Sequence, residues 1–214
     1  MSVVMLSIRM MTTEEWPEIA PRDGSEPVFA CFSEPLRISE PLIRAWRRML
    51  DLVPGSRLLL KHPRYASAGL RDHLRERLGM GERVQFENID GGWAKHWHVY
   101  RKVWVMLDTF PVTGATSTII PLWMGTPVVS LAGHHPGQRF GLSMLSNAGH
   151  PEWVAKDFDD YVTKAVALAN APARLDQYRR EARARLAASA LFDAPGIVGE
   201  LEQALRGAWE TRIA

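Results

Sequence analysis

Three consecutive hydroxyl side chains, Thr116, Ser117 and Thr118, follow Gly114 across the single residue Ala115. Ahead of them lies the apolar run Val103–Leu107, ended by Asp108 and followed by Pro111. Behind them come Ile119, Ile120, Leu122 and Trp123, then Gly125 and a second apolar run, Pro127–Leu131. Short apolar runs of this length suit strands buried on both faces. Pro111 and Gly114 mark a sharp loop, the hydroxyls stand where a helix would begin, and glycine is common just past a helix end. Strand, glycine-bearing loop, helix start and strand make a βαβ unit whose turn is suited to an anion. The first N–H groups of a helix lack internal partners and carry about half a positive charge between them. A phosphate uses both properties, hydroxyls add donors, and Gly114 lets backbone approach closely. A plainer reading is an ordinary helix start with Thr and Ser as capping residues. The loop matches neither G-x-G-x-x-G nor the P-loop, so the pattern alone leaves both readings open.

The elements that must hold this turn can be read along the chain. Residues 1–26 carry little periodicity, and Pro17, Pro21, Asp23 and Gly24 read as a leader or loop segment. Residues 27–214 form the domain proper. Strands are expected near 28–32, 57–61, 83–86, 103–107 and 127–131. Ser39 and Pro41 signal a helix start, followed by Leu42, Trp46, Met49 and Leu50 on one face. Ser67–Leu78 reads as a helix ending at Gly79, and His96–Arg101 as a short helix into Val103. From Gln138 onward the chain reads as largely helical. Alternation of strand and helix across short connections predicts an α/β fold, a parallel sheet with helices on both faces.

Composition narrows the function classes. The 214 residues include 26 basic and 24 acidic side chains, a net charge of +2, which implies no field for nucleic acid. The arginine runs Arg44–Arg47–Arg48 and Arg179–Arg180–Arg183–Arg185 sit at helical spacing and read as solvated faces. Cys31 is the single cysteine, which excludes an intramolecular disulfide and fits a reducing, cytoplasmic setting. No stretch approaches the ~18 to 20 apolar residues of a membrane span. His134 and His135 lie together with no Cys or carboxylate pattern around them, too little for a metal site.

The segment LDTFPVTGATSTIIPLWMGTPVVSL, residues 107–131, resembles the hallmark of the protein O-GlcNAc transferase family, glycosyltransferase family 41, which includes SPINDLY-like and bacterial tetratricopeptide-linked members. Phe32–Ile38, Trp46–Lys61 (WRRMLDLVPGSRLLLK) and Ser189–Asp193 (SALFD) extend the resemblance over roughly Pro27 to Trp209. Such enzymes are GT-B proteins of two Rossmann-like halves, and the resemblance implies the C-terminal, nucleotide-sugar-binding half. It implies UDP-GlcNAc or another UDP-sugar as donor, Ser or Thr of a protein as acceptor, and neither metal nor cofactor. An N-terminal half, expected as a separate partner, would supply the acceptor side, so the chain by itself is expected to transfer no sugar.

By the same resemblance Arg37 stands in place of a lysine that neutralises the diphosphate, His96 contacts the nucleotide base, and Lys95 beside it aids the phosphates. Gly114, Thr116 and Ser117 match the phosphate-binding turn in place, and Arg139 and Ser143 match a motif after the last strand. Ala115 departs from the usual Gly or His, Glu34 from a Gln, Trp104 from an Asp, and Ile120 from an Asp that accepts from ribose. Glu34 is expected to point away or to bind a hydroxyl. These departures leave a second expectation standing, a degenerate nucleotide-binding or interaction module without catalysis.

Overall fold

The structure is a computed structural model that describes residues 16–24, 26–88 and 92–213, with 92–95 and 213 described through their backbone alone. Residues 1–15 and 25 of the expected leader, and residues 89–91 and 214, lie outside the described residues.

Among the described residues six strands form one sheet: β1 (Val28–Cys31), β2 (Arg57–Lys61), β3 (Val84–Glu87), β4 (Val105–Leu107), β5 (Val128–Leu131) and β6 (Val154–Ala155). Their order is β3-β2-β1-β4-β5-β6, and every pairing is parallel. Phe29 pairs with Leu58 of β2 on one side and Val105 of β4 on the other. Phe29, Ala30 and Cys31 are all buried, as the central strand of a sheet covered on both faces requires. The five expected strands are present, β2 with the expected bounds, β3 shifted by one residue, and β1, β4 and β5 trimmed by one or two. The sixth, β6, was not expected; two residues after a 3-10 turn give no period to read.

The helices are α1 (Glu40–Leu52), α2 (Ala68–Leu78), α3 (Gly92–Val99), α4 (Thr116–Trp123), α5 (Phe140–Asn147), α6 (Phe158–Ala169), α7 (Pro172–Ala187) and α8 (Ala194–Ile213). Leu42, Ile43, Trp46, Met49 and Leu50 line one face of α1, and all are buried. Burying such a side chain is worth roughly 1.5 to 3 kcal/mol, more than the helix propensity of any one residue, so this face places the helix. The ends of α2 follow the sequence signals: Ser67 Oγ accepts from the Leu70 N–H at 3.4 Å, and Gly79 takes the left-handed conformation at φ 62°. Helix α1 packs on α6, and α4 on α7. Most of α8 stands exposed, with Leu201, Leu205 and Trp209 open to solvent. No helix among the described residues is long and apolar enough to cross a membrane.

Residues 16–24 pack against the body. The Trp16 ring lies 4.6 Å from Trp97 and 6.1 Å from Trp123, centre to centre. Arg22 pairs with Asp176 at 2.8 Å and stacks 3.9 Å over Trp104. Here the reading of the arginine runs as solvated faces needs correction. Arg179 is buried, its Nε donating to the Ala20 carbonyl at 2.8 Å and a terminal nitrogen to the Tyr100 carbonyl at 2.7 Å. Arg183 likewise donates to the carbonyls of Pro17 and Trp123, and Arg47 to those of Leu78 and Arg77. Each guanidinium donates to backbone carbonyls of other segments and ties them to its own helix. Arg44, Arg48, Arg180 and Arg185 are exposed as expected.

Candidate functional site

β1 and β4 are neighbours, but the chain leaves them toward opposite edges of the sheet, so a crevice opens at their carboxyl ends. After β1 come Phe32, Ser33 and Glu34, then a 3-10 turn, Pro35–Arg37. Two contacts fix that turn beside the loop after β4. Ile38 forms a parallel bridge with Phe110, and Ser39 Oγ donates to the Phe110 carbonyl at 2.8 Å. Ser39 is the cap of α1 by position, but its hydroxyl makes no capping bond and serves this junction instead. Arg37 is thereby brought half-buried to the crevice, where its charge bears on Asp108 and Cys31. It makes no ion pair within the described residues.

The loop after β4 is built on Asp108. Its Oδ1 accepts from the Thr109 N–H at 2.8 Å and the Gly114 N–H at 2.7 Å, and its Oδ2 accepts from Ser130 Oγ at 2.6 Å. Burial nevertheless pushes its pKa up to about 6, with the Ser130, Gly114 and Thr109 hydrogen bonds and then Arg37 pulling the other way. The Gly114 N–H is thus committed to Asp108. Its lack of a side chain still matters, because a Cβ there would lie 2.1 Å from Ser117 Oγ and 3.1 Å from Asp108 Oδ1.

Helix α4 starts where the three hydroxyls stand, with Ala115 at the cap position. The hydroxyls do different things. Thr118 is buried and donates to the Gly114 carbonyl at 3.0 Å, a bond within the fold. Thr116 and Ser117 are half-buried, and their hydroxyls make no hydrogen bond to the described residues. Their backbone N–H groups are first-turn donors that the helix itself cannot use, whereas the Thr118 N–H already reaches the Ala115 carbonyl at 3.0 Å. Two N–H groups, two hydroxyls and the nearby Arg37 therefore face one turn, an arrangement that takes an anion.

The other wall of the crevice is aromatic. His96, in α3, is 9% exposed, with its ring centre 6.1 Å from Phe32, 5.1 Å from Trp97 and 5.7 Å from Tyr100. Burial, and then the charge of Lys61, lower its pKa to about 4, so the imidazole is neutral near pH 7. The side chains of Trp93 and Lys95 lie outside the described residues. Glu34 turns toward the segment after β2, where Arg64 Nε meets it at 2.8 Å and His62 Nε2 at 3.4 Å. Ile120 is buried in the core, so its position offers no open acceptor. Arg139 and Ser143 are exposed, and Arg139 donates to the Gly133 carbonyl at 3.0 Å, bracing the loop that carries His134 and His135. Among the described residues no three His, Cys, Asp or Glu side chains cluster as a metal site would require.

Sequence reasoning passed over Asp108, Lys61 and Ser130. Lys61 ends β2 only 3% exposed, its amine 3.9 Å from Glu87, and burial lowers its pKa. Lys61 and Asp108 share one signal, a charged residue closing an apolar strand at its carboxyl end.

The model of glycosyl transferase family 41 matches residues 18–201, nearly the whole of this arrangement. The chain belongs to glycosyltransferase family 41. This family-41 chain is 32% identical over 186 residues to the Arabidopsis thaliana protein described as a probable UDP-N-acetylglucosamine–peptide N-acetylglucosaminyltransferase, SPINDLY, covering 85% of the chain and 20% of that relative. It is also 32% identical over 186 residues to the Caenorhabditis elegans UDP-N-acetylglucosamine–peptide N-acetylglucosaminyltransferase, covering 86% of the chain and 16% of the relative. The chain thus spans about a fifth of the length of the curated relatives it matches. Among solved structures, a mutant of the Thermobaculum terrenum O-GlcNAc transferase superposes with a TM-score of 0.79 at 28% identity, over 90% of this chain and 38% of that one. Sucrose-phosphate synthase from Thermosynechococcus elongatus, at 18% identity and a TM-score of 0.56 over 87% of this chain and 46% of its own, shares the fold. The family-41 fold is accordingly the Rossmann-like parallel sheet of one GT-B half.

Proposed function

We propose that this family-41 chain is the nucleotide-sugar-binding half of a protein O-glycosyltransferase, holding UDP-GlcNAc or another UDP-sugar for transfer to Ser or Thr of a protein. One observation carries the reading: family-41 membership covers a turn whose Thr116 and Ser117 donors are open. In this reading the diphosphate sits on those N–H groups and hydroxyls past Ala115 and Gly114, with Arg37 against its charge. His96 receives the base on its flat, neutral ring, and Lys95 completes the set. As the sugar–phosphate bond breaks, negative charge grows on the leaving diphosphate, and donors fixed beforehand stabilise it without reorganising. The reading gives that task to Arg37 and the helix start rather than to a metal or cofactor. An N-terminal half is assigned the acceptor protein and the proton acceptor, since transfer needs both held against the sugar. A cytoplasmic setting, supported by the lone buried Cys31, belongs to the same reading.

A second reading, a degenerate nucleotide-binding or interaction module, is favoured by Ile120, an apolar residue buried where the family resemblance expects the Asp that accepts from ribose. UDP calorimetry on the chain, alone and with a candidate N-terminal half, tests both. The chain is expected to bind UDP, and Thr116→Val with Ser117→Ala to weaken binding about tenfold while leaving thermal stability unchanged. Equal affinity in the folded double variant would remove the anion site. Binding without sugar transfer, even with the second half present, would favour the module.

A further inference from the structure

Asp108 does more than close β4. Its side chain is 4% exposed, and each of its three hydrogen bonds shapes the turn. Oδ1 draws the two ends of the loop together by accepting from Thr109 and Gly114, and Oδ2 ties that loop to β5 through Ser130 Oγ. Its own carbonyl is held by the Tyr161 hydroxyl at 2.8 Å, so the residue is fixed from α6 as well. Helix α5 closes the remaining side with Gly141, where a Cβ would lie 2.6 Å from Asp108 Oδ2, 1.9 Å from Ser130 Oγ and 2.7 Å from Ser130 Cβ.

We propose that Asp108 is the positioning residue of the anion site: through the Gly114 N–H it bends the loop so that the Thr116 and Ser117 donors converge on the diphosphate. The inference rests on the nucleotide-sugar reading. In this arrangement Asp108 acts through the Gly114 N–H rather than on the phosphate itself. The charge beneath the turn has a second consequence. The groups facing Asp108 are Cys31 from β1, Arg37 from the turn after it, Ser130 from β5 and Tyr161 from α6, while α5 presents Gly141. Burial pushes the Cys31 thiol up to about 12 and the Tyr161 phenol well above its usual range, so both stay neutral and Arg37 supplies the facing charge. With Asp108 poised at about 6 in the free protein, an arriving diphosphate raises it further by like-charge repulsion. Binding then takes up a proton, and affinity tightens as pH falls from 8 toward about 6.

UDP calorimetry from pH 6 to 8 on the wild-type chain, Asp108→Asn, Asp108→Ala and Gly141→Ala tests this. The amide of Asp108→Asn can accept from both N–H groups and donate to Ser130, so it should bind UDP within about threefold of wild type at pH 8. It should lack the wild type's extra tightening at pH 6, the titration of UDP itself being common to both. Asp108→Ala should lose about tenfold or more while circular dichroism shows it folded. Should Asp108→Ala fail to fold, Gly141→Ala decides, since its methyl displaces Ser130 and Asp108 without removing them, and a similar loss is expected. Wild-type affinity in folded Asp108→Ala or Gly141→Ala, or equal pH slopes in wild type and Asp108→Asn, overturns the inference alone. A wild-type chain that binds no UDP overturns the nucleotide-sugar reading and this inference together.

Discussion

Arg179→Ala should destabilise the fold by about 3 kcal/mol, because a buried charged donor to two backbone carbonyls is lost and a group left orphaned costs roughly 1 to 3 kcal/mol. The Ala20 carbonyl, held at 2.8 Å, loses its donor, while the Tyr100 carbonyl, held at 2.7 Å, keeps the Val103 N–H at 3.3 Å. The stem of the same side chain packs where Gly125, at φ 72°, has no Cβ, so truncation also opens space beneath that turn. Burial lowers the Arg179 pKa to about 10, which leaves the guanidinium charged throughout the neutral range. Urea unfolding of wild type, Arg179→Ala and Arg180→Ala at pH 7 measures the effect. The exposed neighbour Arg180 is the control and should change stability by no more than about 0.5 kcal/mol. Equal midpoints for wild type and Arg179→Ala would show that the arginine holds nothing together.

The second large effect concerns protons. The Asp108 pKa is raised from 3.8 to about 6, and that of His96 is lowered from 6.5 to about 4. For Asp108, stability is full below its unfolded pKa and is lost as pH rises through its folded value. For His96 the reverse holds: stability is full above its unfolded pKa and is lost as pH falls through its folded value. Between pH 4 and 6 the folded protein carries one proton on Asp108 while the unfolded chain carries one on His96, and the two slopes oppose each other at about 1.4 kcal/mol per pH unit. Asp108→Asn removes one slope and leaves the other. The stability of wild type minus that of Asp108→Asn should therefore fall by about 2 kcal/mol from pH 4 to pH 6. Subtraction cancels the other histidines, whose burial is common to both proteins. Denaturant titrations of the pair at each pH give the number, and a constant difference would mean that the carboxyl is not raised.

The sequence made the strands and capped helices legible because those signals are local. Ser67 and Gly79 bracket α2 within its own span, and the apolar runs of β1, β2, β4 and β5 need no partner to be recognised. The turn that opens α4 was legible for the same reason, as glycine, hydroxyls and an apolar helix in succession. What escaped depends on residues far apart in the chain. Asp108 reads as the end of a strand until Ser130 and Gly141 are seen around it. Arg179 and Arg183 read as surface because the carbonyls they serve, at Ala20, Tyr100 and Pro17, lie on other segments. His96 was read for its ring, but its neutrality comes from burial beside Lys61, which no spacing announces.

The strand order carries a kinetic consequence. Phe29 meets Leu58 across β1–β2, and Met106 meets Val128 across β4–β5, so each half of the sheet can pair between residues close in the chain. The seam between halves instead joins Phe29 to Val105, and closing a longer loop costs about 0.6 kcal/mol more for each doubling of length. Refolding should therefore zip each half before the seam closes. Pulse-labelled hydrogen exchange would show it as earlier protection of Leu59 and Ser130 than of Trp104, whose N–H crosses the seam to the Val28 carbonyl at 2.9 Å. Simultaneous protection would count against that order. Because the crevice lies on this seam, the place where a ligand would sit is also the last part of the molecule to come into being.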